Sequence, residues 1–462
     1  MKQVSLSNLK EMPLPQKVDF PRRINPQLYF SSFTGGGVCA YTPSGNMAAL
    51  LSDREYKFAQ THEVVNTEVE SMGELLRSFV YTVPSVNISH PAGTVLSFNP
   101  IINKGKIREL SLIISTACNL RCKYCFAFGG EGAAIEEQKS VSGLSRELDP
   151  QAALYAIRYF KPVKVTLFGW GEPTMAFSVL KKIVEGIDTV RTRVEIVTNG
   201  VYFSRREEIV RYLVEHHIKI EISFDGLPEF QNEYRPMANG GSSASEVLKT
   251  IEEIKKYGKL TDFATVRATI CGGMENRIQE SVEYLHSLGF ETIGMQPVEI
   301  SGRAIGKVQP LDLGLFARNV ANAIAQGKKQ GINVNSRVLP SGDNWSMACY
   351  GCGFMAGYML ALGPDKGFYA CDDPLPIFRA GSMERNDDGF KISVDYEKLT
   401  NFARERYVLN LENCRECPVK CGGGCTKESF VTYGSMRVGG ESGEFCSARQ
   451  EALAEYIKCA LA

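Results

Sequence analysis

The sequence predicts an α/β protein in which repeated strand–helix units lie between an N-terminal α+β region and a C-terminal cysteine-rich region. Three observations carry this reading. From about residue 108, β-rich runs alternate with amphipathic helical runs six times over. Before that point, short β-like runs mix with turn signals; after about residue 345, periodicity weakens while Gly and Cys rise. The chain, at 462 residues, is long enough for two or three domains. The boundaries fall at 1–105 (N-terminal α+β), 106–300 (strand–helix core), 301–345 (a bridging helical region) and 346–462 (cysteine-rich).

In the N-terminal region "LYFSSF" and "FVYTV" read as strands, "TGGG" and "PSGN" as turns, and "SDREYKFAQTHEVV" as a helix. No motif in it carries chemistry. The core then pairs "LSLIIS" with "PQAALYAIRYF", "VKVTLF" with "SVLKKIVEGI", and "RVEIVTN" with "REEIVRYLVEHH". It continues with "IKIEISF" and "ASEVLKTIEEIKKYG", "FATVRATI" and "NRIQESVEYLHSLG", then "TIGMQPV" and "LFARNVANAIAQGKKQG". Strand runs alternating with helical runs of this length form a parallel sheet covered by helices. Six units are too few for a closed eight-stranded barrel. A doubly wound sheet and a partial, open (βα)6 TIM-like barrel both fit the pattern, and the partial barrel is the reading taken. In either arrangement the site forms where strands end and loops begin.

Lys plus Arg and Asp plus Glu are balanced at 52 each, so no field draws the chain to nucleic acid or an anionic membrane. The N-terminus "MKQVSLSNLKEMPLPQKVDF" lacks a secretory apolar stretch, and no run reaches membrane-spanning length. A cytosolic protein is expected. In that compartment fourteen cysteines are not a disulfide framework. Cys39, Cys271 and Cys459 are isolated and read as small buried hydrophobes. The other eleven cluster as Cys118/122/125, Cys349/352/371 and Cys414/417/421/425/446, the pattern of metal and iron–sulfur ligands.

The first cluster, "CNLRCKYC", follows the first β run directly and lies on a loop at the sheet's C-terminal edge. Three thiolates can hold three irons of a [4Fe–4S] cube and leave the fourth open to a small molecule. A structural zinc site normally closes with four ligands, and no fourth cysteine or histidine lies nearby.

Cys118, Cys122 and Cys125, with Tyr124 before the last, resemble the C-x3-C-x2-C signature of the radical S-adenosylmethionine (SAM) enzymes. The resemblance implies that the open iron binds the amino and carboxylate groups of SAM. It also implies reductive cleavage to a 5′-deoxyadenosyl radical that abstracts hydrogen from an unactivated C–H bond. Downstream, Gly169, Gly171, Glu172 and Pro173 of "LFGWGEPT" resemble the family's G-G-E-P segment beside the methionine amino group. Trp170 departs from it, placing a bulky residue beside the glycine turn. Thr198, Asn199 and Gly200 end the third β run. Ser223 and Asp225 of "ISFDG" match a polar pair near the ribose, and Arg267 of "VRATI" is suited to the SAM carboxylate.

Eight cysteines follow the core, the number two fully ligated [4Fe–4S] clusters require. Their order resembles the SPASM module of peptide- and protein-modifying radical SAM enzymes, above all in "CGFMAGYMLALGPDKGFYACDD". By that resemblance Cys349, Cys352, Cys371 and Cys425 hold one auxiliary cluster, and Cys414, Cys417, Cys421 and Cys446 the other. Three [4Fe–4S] clusters and SAM are then the cofactors. The x3 spacing in the middle of the second set and the closeness of Cys349 to Cys352 depart from the family. One iron cluster plus a four-cysteine zinc site is the alternative. The stretch "ENCRECPVKCGGGCTKE" has no apolar stripe and is expected to need metal to fold.

Asp372 follows Cys371, the position of the proposed base in anaerobic sulfatase-maturating enzymes, with Asp373 as understudy; a turn cap before "PLP" is the bland alternative. The resemblance implies a peptide or protein substrate and an external one-electron reductant of flavodoxin or ferredoxin type. A maturase forming thioether or C–C cross-links in a ribosomal peptide is the leading reading, with the N-terminal region gripping a leader. Formylglycine formation from Cys or Ser is the second. A non-catalytic iron–sulfur electron carrier is the reading from a different class; it leaves "GWGEP" and "SFD" unexplained.

Overall fold

The computed structural model describes residues 29–32, 38–41, 48–51, 102–130, 146–202, 205–339, 352–373, 375–387, 389–407, 410–411, 414, 423–437 and 442–461. All six core strands are present: β4 (Glu109–Ile113), β5 (Lys164–Phe168), β6 (Arg193–Thr198), β7 (Lys219–Ser223), β8 (Ala264–Ile270) and β9 (Thr292–Pro297). They lie parallel and side by side in chain order, with Leu112 opposite Leu167, Leu167 opposite Ile196, Ile222 opposite Val266, and Ala268 opposite Met295. A doubly wound sheet reverses its strand order at a switch point. This one does not, so the partial barrel is the arrangement found.

The barrel stays open because other strands occupy its edges. β10 (Asn333–Asn335) adds parallel to β9, and β11 (Met359–Leu362) adds parallel to β4. Beyond β11, the antiparallel strands β12 (Gly367–Tyr369), β13 (Arg379–Asn386) and β14 (Gly389–Val394) extend the sheet to eleven strands. The bridging region therefore holds a strand as well as the expected helix. The first part of the cysteine-rich region is a direct continuation of the core sheet.

Local signals explain the helices. In α1 (Pro150–Phe160) the Asp149 side chain accepts from Gln151 N–H at 2.9 Å and Pro150 opens the first turn. Its buried face is Ala152, Ala153, Ala156, Ile157 and Phe160. Helices α2 (Phe177–Glu185), α3 (Arg206–Glu215), α4 (Pro228–Tyr234), α5 (Ser243–Lys255), α6 (Leu260–Phe263) and α7 (Ile278–Ser287) follow. Asp312 caps α8 (Leu313–Gln330), which stops at Gly331, φ 76°.

The sheet has two unlike faces. Val165, Leu167, Ile196, Ile220, Ile222, Val266, Ala268, Ile293 and Met295 are buried in the apolar core. The alternating positions carry charge: Lys164 pairs with Glu195 (2.8 Å) and Glu109 (3.9 Å), Arg193 with Glu195 (2.7 Å), and Arg267 with Glu221 (3.5 Å). A parallel sheet covered on both faces reads as continuous apolar runs. Period-two alternation here marks a face that opens on the barrel interior.

In the N-terminal region "LYFSSF" contains β1 (Tyr29–Ser32), paired antiparallel with β2 (Val38–Tyr41), which pairs with β3 (Ala48–Leu51). The two turn signals fall between these strands. The helix expected at 52–65 and the strand expected at 79–83 lie outside the described residues. In the C-terminal region α9 (Tyr396–Arg406), α10 (Thr426–Tyr433) and α11 (Gly443–Leu461) follow the sheet. Helix α11 packs along α8 and pairs Glu451 with Arg318 at 3.0 Å. Among the described residues, no helix is long and apolar enough to cross a membrane.

Candidate active site

The loop carrying Cys118, Cys122 and Cys125 is braced from three sides. Residues 234–238 run against it as a short antiparallel partner: Arg121 N–H donates to Pro236 O (2.8 Å), Lys123 N–H to Tyr234 O (2.8 Å), and Ala238 N–H to Asn119 O (2.9 Å). The turn after β5 donates from Gly171 to Ser115 O (2.9 Å) and from Glu172 to Ala117 O (2.7 Å). After β9, the buried Arg303 donates to Cys122 O (2.9 Å) and Gly129 O (3.2 Å), and its N–H to Cys125 O (3.1 Å). Neither Arg303 nor the 234–238 brace was visible in sequence, since nothing at those positions resembles a ligand.

Backbone donors already face the thiols. Leu120 N–H points at Cys118 Sγ (3.5 Å) and Gly129 N–H at Cys125 Sγ (3.3 Å), with Asn199 Nδ2 at 4.0 Å from Cys118 Sγ. Burial pushes Cys118 up to about 11 and Cys122 up to about 12, with Cys125 adding to both and Cys118 to Cys122. Three converging thiols with N–H groups aimed at sulfur suit a thiolate-bound cluster, and loading it must release protons.

The strand-end motifs meet this loop. A Cβ added at Gly171 would sit 2.1 Å from Ala117 O, so only glycine lets the turn close on the cysteine loop. Glu172 is buried and accepts four hydrogen bonds: from Thr174 N–H (3.0 Å), Thr174 Oγ1 (2.6 Å), Thr198 Oγ1 (2.7 Å) and Asn199 N–H (2.7 Å). Burial raises its carboxyl, and these donors pull it back. Pro173 opens a short 3-10 turn. Asn199 reaches Asn119 Oδ1 (2.7 Å), so the ends of β5 and β6 and the cysteine loop form one network.

The structure splits the polar pair expected at the ribose. Ser223 stands at the end of β7, partly exposed, opposite Arg267. Asp225 is wholly buried and its carboxylate is used by the protein itself. It accepts from Tyr124 OH, from Arg235 Nε (3.0 Å) and from Thr269 N–H (2.9 Å). Arg235, missed in the sequence reading, lies 5.2 Å over the Tyr124 ring, and its charge lowers the Cys122 thiol against the effect of burial. This trio holds the middle of the cysteine loop. Arg267 is about half exposed on the polar face of the sheet, paired with Glu221.

From the C-terminal region, Asp372 joins the site. Burial raises its carboxyl to about 6, against the pull of the Ser111 hydroxyl and the Arg267 guanidinium. Ser111 belongs to β4 and Arg267 to β8; the buried Asp372 Oδ1 has no hydrogen-bond partner among the described residues. Cys371 is pushed well up by burial and then by neighbouring Cys425, and Cys352 is raised by burial with Asp372 nearby. Asp373 pairs at 3.5 Å with buried Lys427, which also pairs with Glu299 and with Glu428 (3.2 Å). Arg337 closes this network on Glu299 at 2.5 Å. Cys414 is buried and Cys446 partly buried; Cys349, Cys417 and Cys421 lie outside the described residues.

A three-thiol loop at the end of a partial barrel, wired to the next strand ends, is the arrangement of a radical SAM domain, and residues 112–285 match the radical SAM superfamily. Among named relatives, the chain is 24% identical over 358 residues to the radical SAM cyclopropyl synthase TigE of Paramaledivibacter caminithermalis, covering 73% of this chain and 72% of the relative. It is 24% identical over 332 residues to the serine-type anaerobic sulfatase-maturating enzyme of Klebsiella aerogenes, covering 68% and 78%. An uncharacterized protein of Methanocaldococcus jannaschii is 27% identical over 191 residues, 40% of this chain; the chain spans 61% of that relative's length. The fold is shared with native anSMEcpe with bound AdoMet (TM-score 0.56, 19% identity, 75% of this chain and 96% of that one). It is shared also with Streptococcus suis SuiB bound to S-adenosylmethionine (TM-score 0.52, 16% identity, 90% and 98%).

Proposed function

We propose that the chain is a radical SAM enzyme that oxidatively modifies a residue of a ribosomally made peptide or protein. The observation that carries this is the contact of the Cys371–Asp372 segment with the turn that closes on the three-thiol loop: Trp170 Nε1–H donates to Asp372 O at 2.8 Å. Cys118, Cys122 and Cys125 would hold a [4Fe–4S] cluster. Gly169, Gly171, Glu172, Pro173, Thr198, Asn199, Ser223, Arg267 and Tyr124 would seat SAM. Bound together and reduced, cluster and SAM supply the one-electron chemistry that removes hydrogen from an unactivated C–H bond.

An oxidised product has lost two electrons, and the C-terminal cysteines would hold the acceptor of the second. Cys349, Cys352, Cys371 and Cys425 form one set, Cys414, Cys417, Cys421 and Cys446 the other. Asp372, whose buried Oδ1 is unpartnered among the described residues, takes the proton from the target residue. A flavodoxin- or ferredoxin-type donor and a cytoplasmic location complete the reading.

A peptide substrate is supported by the shared fold with Streptococcus suis SuiB bound to precursor peptide SuiA, over 87% of this chain; cross-link and formylglycine are separated by the product. The test is anaerobic reconstitution, then SAM and dithionite with candidate peptides. About twelve irons per chain and 5′-deoxyadenosine release are expected. Cross-linking and oxidation of serine to formylglycine each remove two hydrogens, and reaction with an aldehyde-specific hydrazide separates them; oxidation of cysteine removes two hydrogens and also exchanges sulfur for oxygen. About four irons with bound zinc would remove the role given to the C-terminal cysteines.

A further inference from the structure

Trp170 sits inside the glycine turn, between Gly169 and Gly171, where a small residue would satisfy the close approach to the cysteine loop. The indole is only 3% exposed and meets Asp372 and Tyr369 of the C-terminal region. Its Nε1–H donates to the main-chain carbonyl of Asp372 at 2.8 Å, across 202 residues of sequence. Its ring stands edge-on to Tyr369, centroids 5.8 Å apart at 82°. Tyr369 is itself fixed, its hydroxyl donating to Asp365 at 2.7 Å. A Cβ added at Gly363 would lie 3.1 Å from Trp170 Cη2, so the C-terminal sheet has left room for this ring. A phenylalanine or leucine would fill the same space; only tryptophan also engages the Asp372 carbonyl.

We propose that Trp170 is a positioning residue that couples the SAM-binding turn to the Cys371–Asp372 segment. Occupation of the turn fixes the indole, and the indole fixes the main chain from which the Asp372 carboxyl and the Cys371 thiol project. The inference rests on the turn at 169–173 being the SAM site. It adds a mechanical link between that site and the C-terminal region, carried by one packed side chain.

The test is amide hydrogen exchange on the anaerobic, cluster-loaded protein with and without saturating SAM, comparing wild type with Trp170→Phe. Wild type should show slower exchange on SAM addition at 169–174 and, at least threefold, at 370–373. Trp170→Phe should keep the slowing at 169–174 and the SAM-induced change in the reduced cluster's EPR signal. It should lose the response at 370–373. A variant that responds at 370–373 like wild type overturns the proposal. So does a wild type that responds at 169–174 alone, a result that needs no variant to fold. No response at either segment, with an unchanged EPR signal, would overturn the SAM-site reading and this inference with it.

Discussion

The three-thiol loop and the C-terminal cysteine region are built on different principles. The loop is held mainly by its own backbone: partners at 234–238, at 171–172 and at 303 fix it before any metal arrives. The C-terminal segment around Cys425 is held by buried charge. Arg406 is wholly buried and donates to the carbonyls of Gly423 (2.6 Å), Gly424 (3.2 Å) and Met436 (2.9 Å). Lys427 is ringed by Glu299, Glu428 and Asp373. The backbone bonds survive loss of a side chain, so the loop's weak point is its buried Asp225–Arg235 pair, as Lys427 and its carboxylates are for the C-terminal segment; removing a partner from either strands an ion.

The sharpest break in the comparison is ligand removal. Cys122→Ser should abolish 5′-deoxyadenosine formation, while Cys371→Ser should lose C-terminal iron and keep SAM cleavage within a few-fold of wild type. Loss of cleavage in both would mean the two regions are one cooperative unit. Next in size are the ionic braces. Arg406→Met removes the donors to three carbonyls and should destabilise the C-terminal region by about 3 kcal/mol. Asp225→Ala strands Arg235 and releases Tyr124, at about 3–5 kcal/mol. Iron retained on gel filtration separates them: Arg406→Met sheds C-terminal iron first, Asp225→Ala the iron of the three-thiol site. The same pattern from both would erase the distinction.

The smallest effect concerns pH. Burial, and then Glu299, raise Glu428 to about 7, while Glu299, opposed by burial, is held down to about 2 by Arg337 and Lys427. A carboxyl with a raised folded pKa favours the folded state fully below its ordinary value, near 4.3. That contribution fades as pH rises through 7. Glu428→Gln should therefore gain stability over wild type on the order of 1 kcal/mol at pH 8 and almost none at pH 4. Unfolding midpoints at the two pH values check the sign, and an equal gain at both would show that Glu428 is already ionised.

Much was legible from the chain alone. Six period-two runs and six helical runs determined the strands and helices, because an amphipathic pattern must bury one face wherever it folds. Cysteine spacing located the three-thiol loop, because ligands to one small centre need short separations. The sequence left strand order open, since alternation says nothing about neighbours; the structure decided it, with β10 and β11 flanking the six core strands and too short to announce themselves. The sequence reads Asp225 as a polar group beside the ribose because "S-F-D-G" shows its polarity and not its partners. Only tertiary packing set Tyr124 and Arg235 against it and turned a polar pair into a brace. Arg303, Arg406 and Trp170 act through contacts made across the fold, Trp170 over 202 residues. Local pattern cannot encode such partners; they exist only once the sheet has brought distant loops to a common edge.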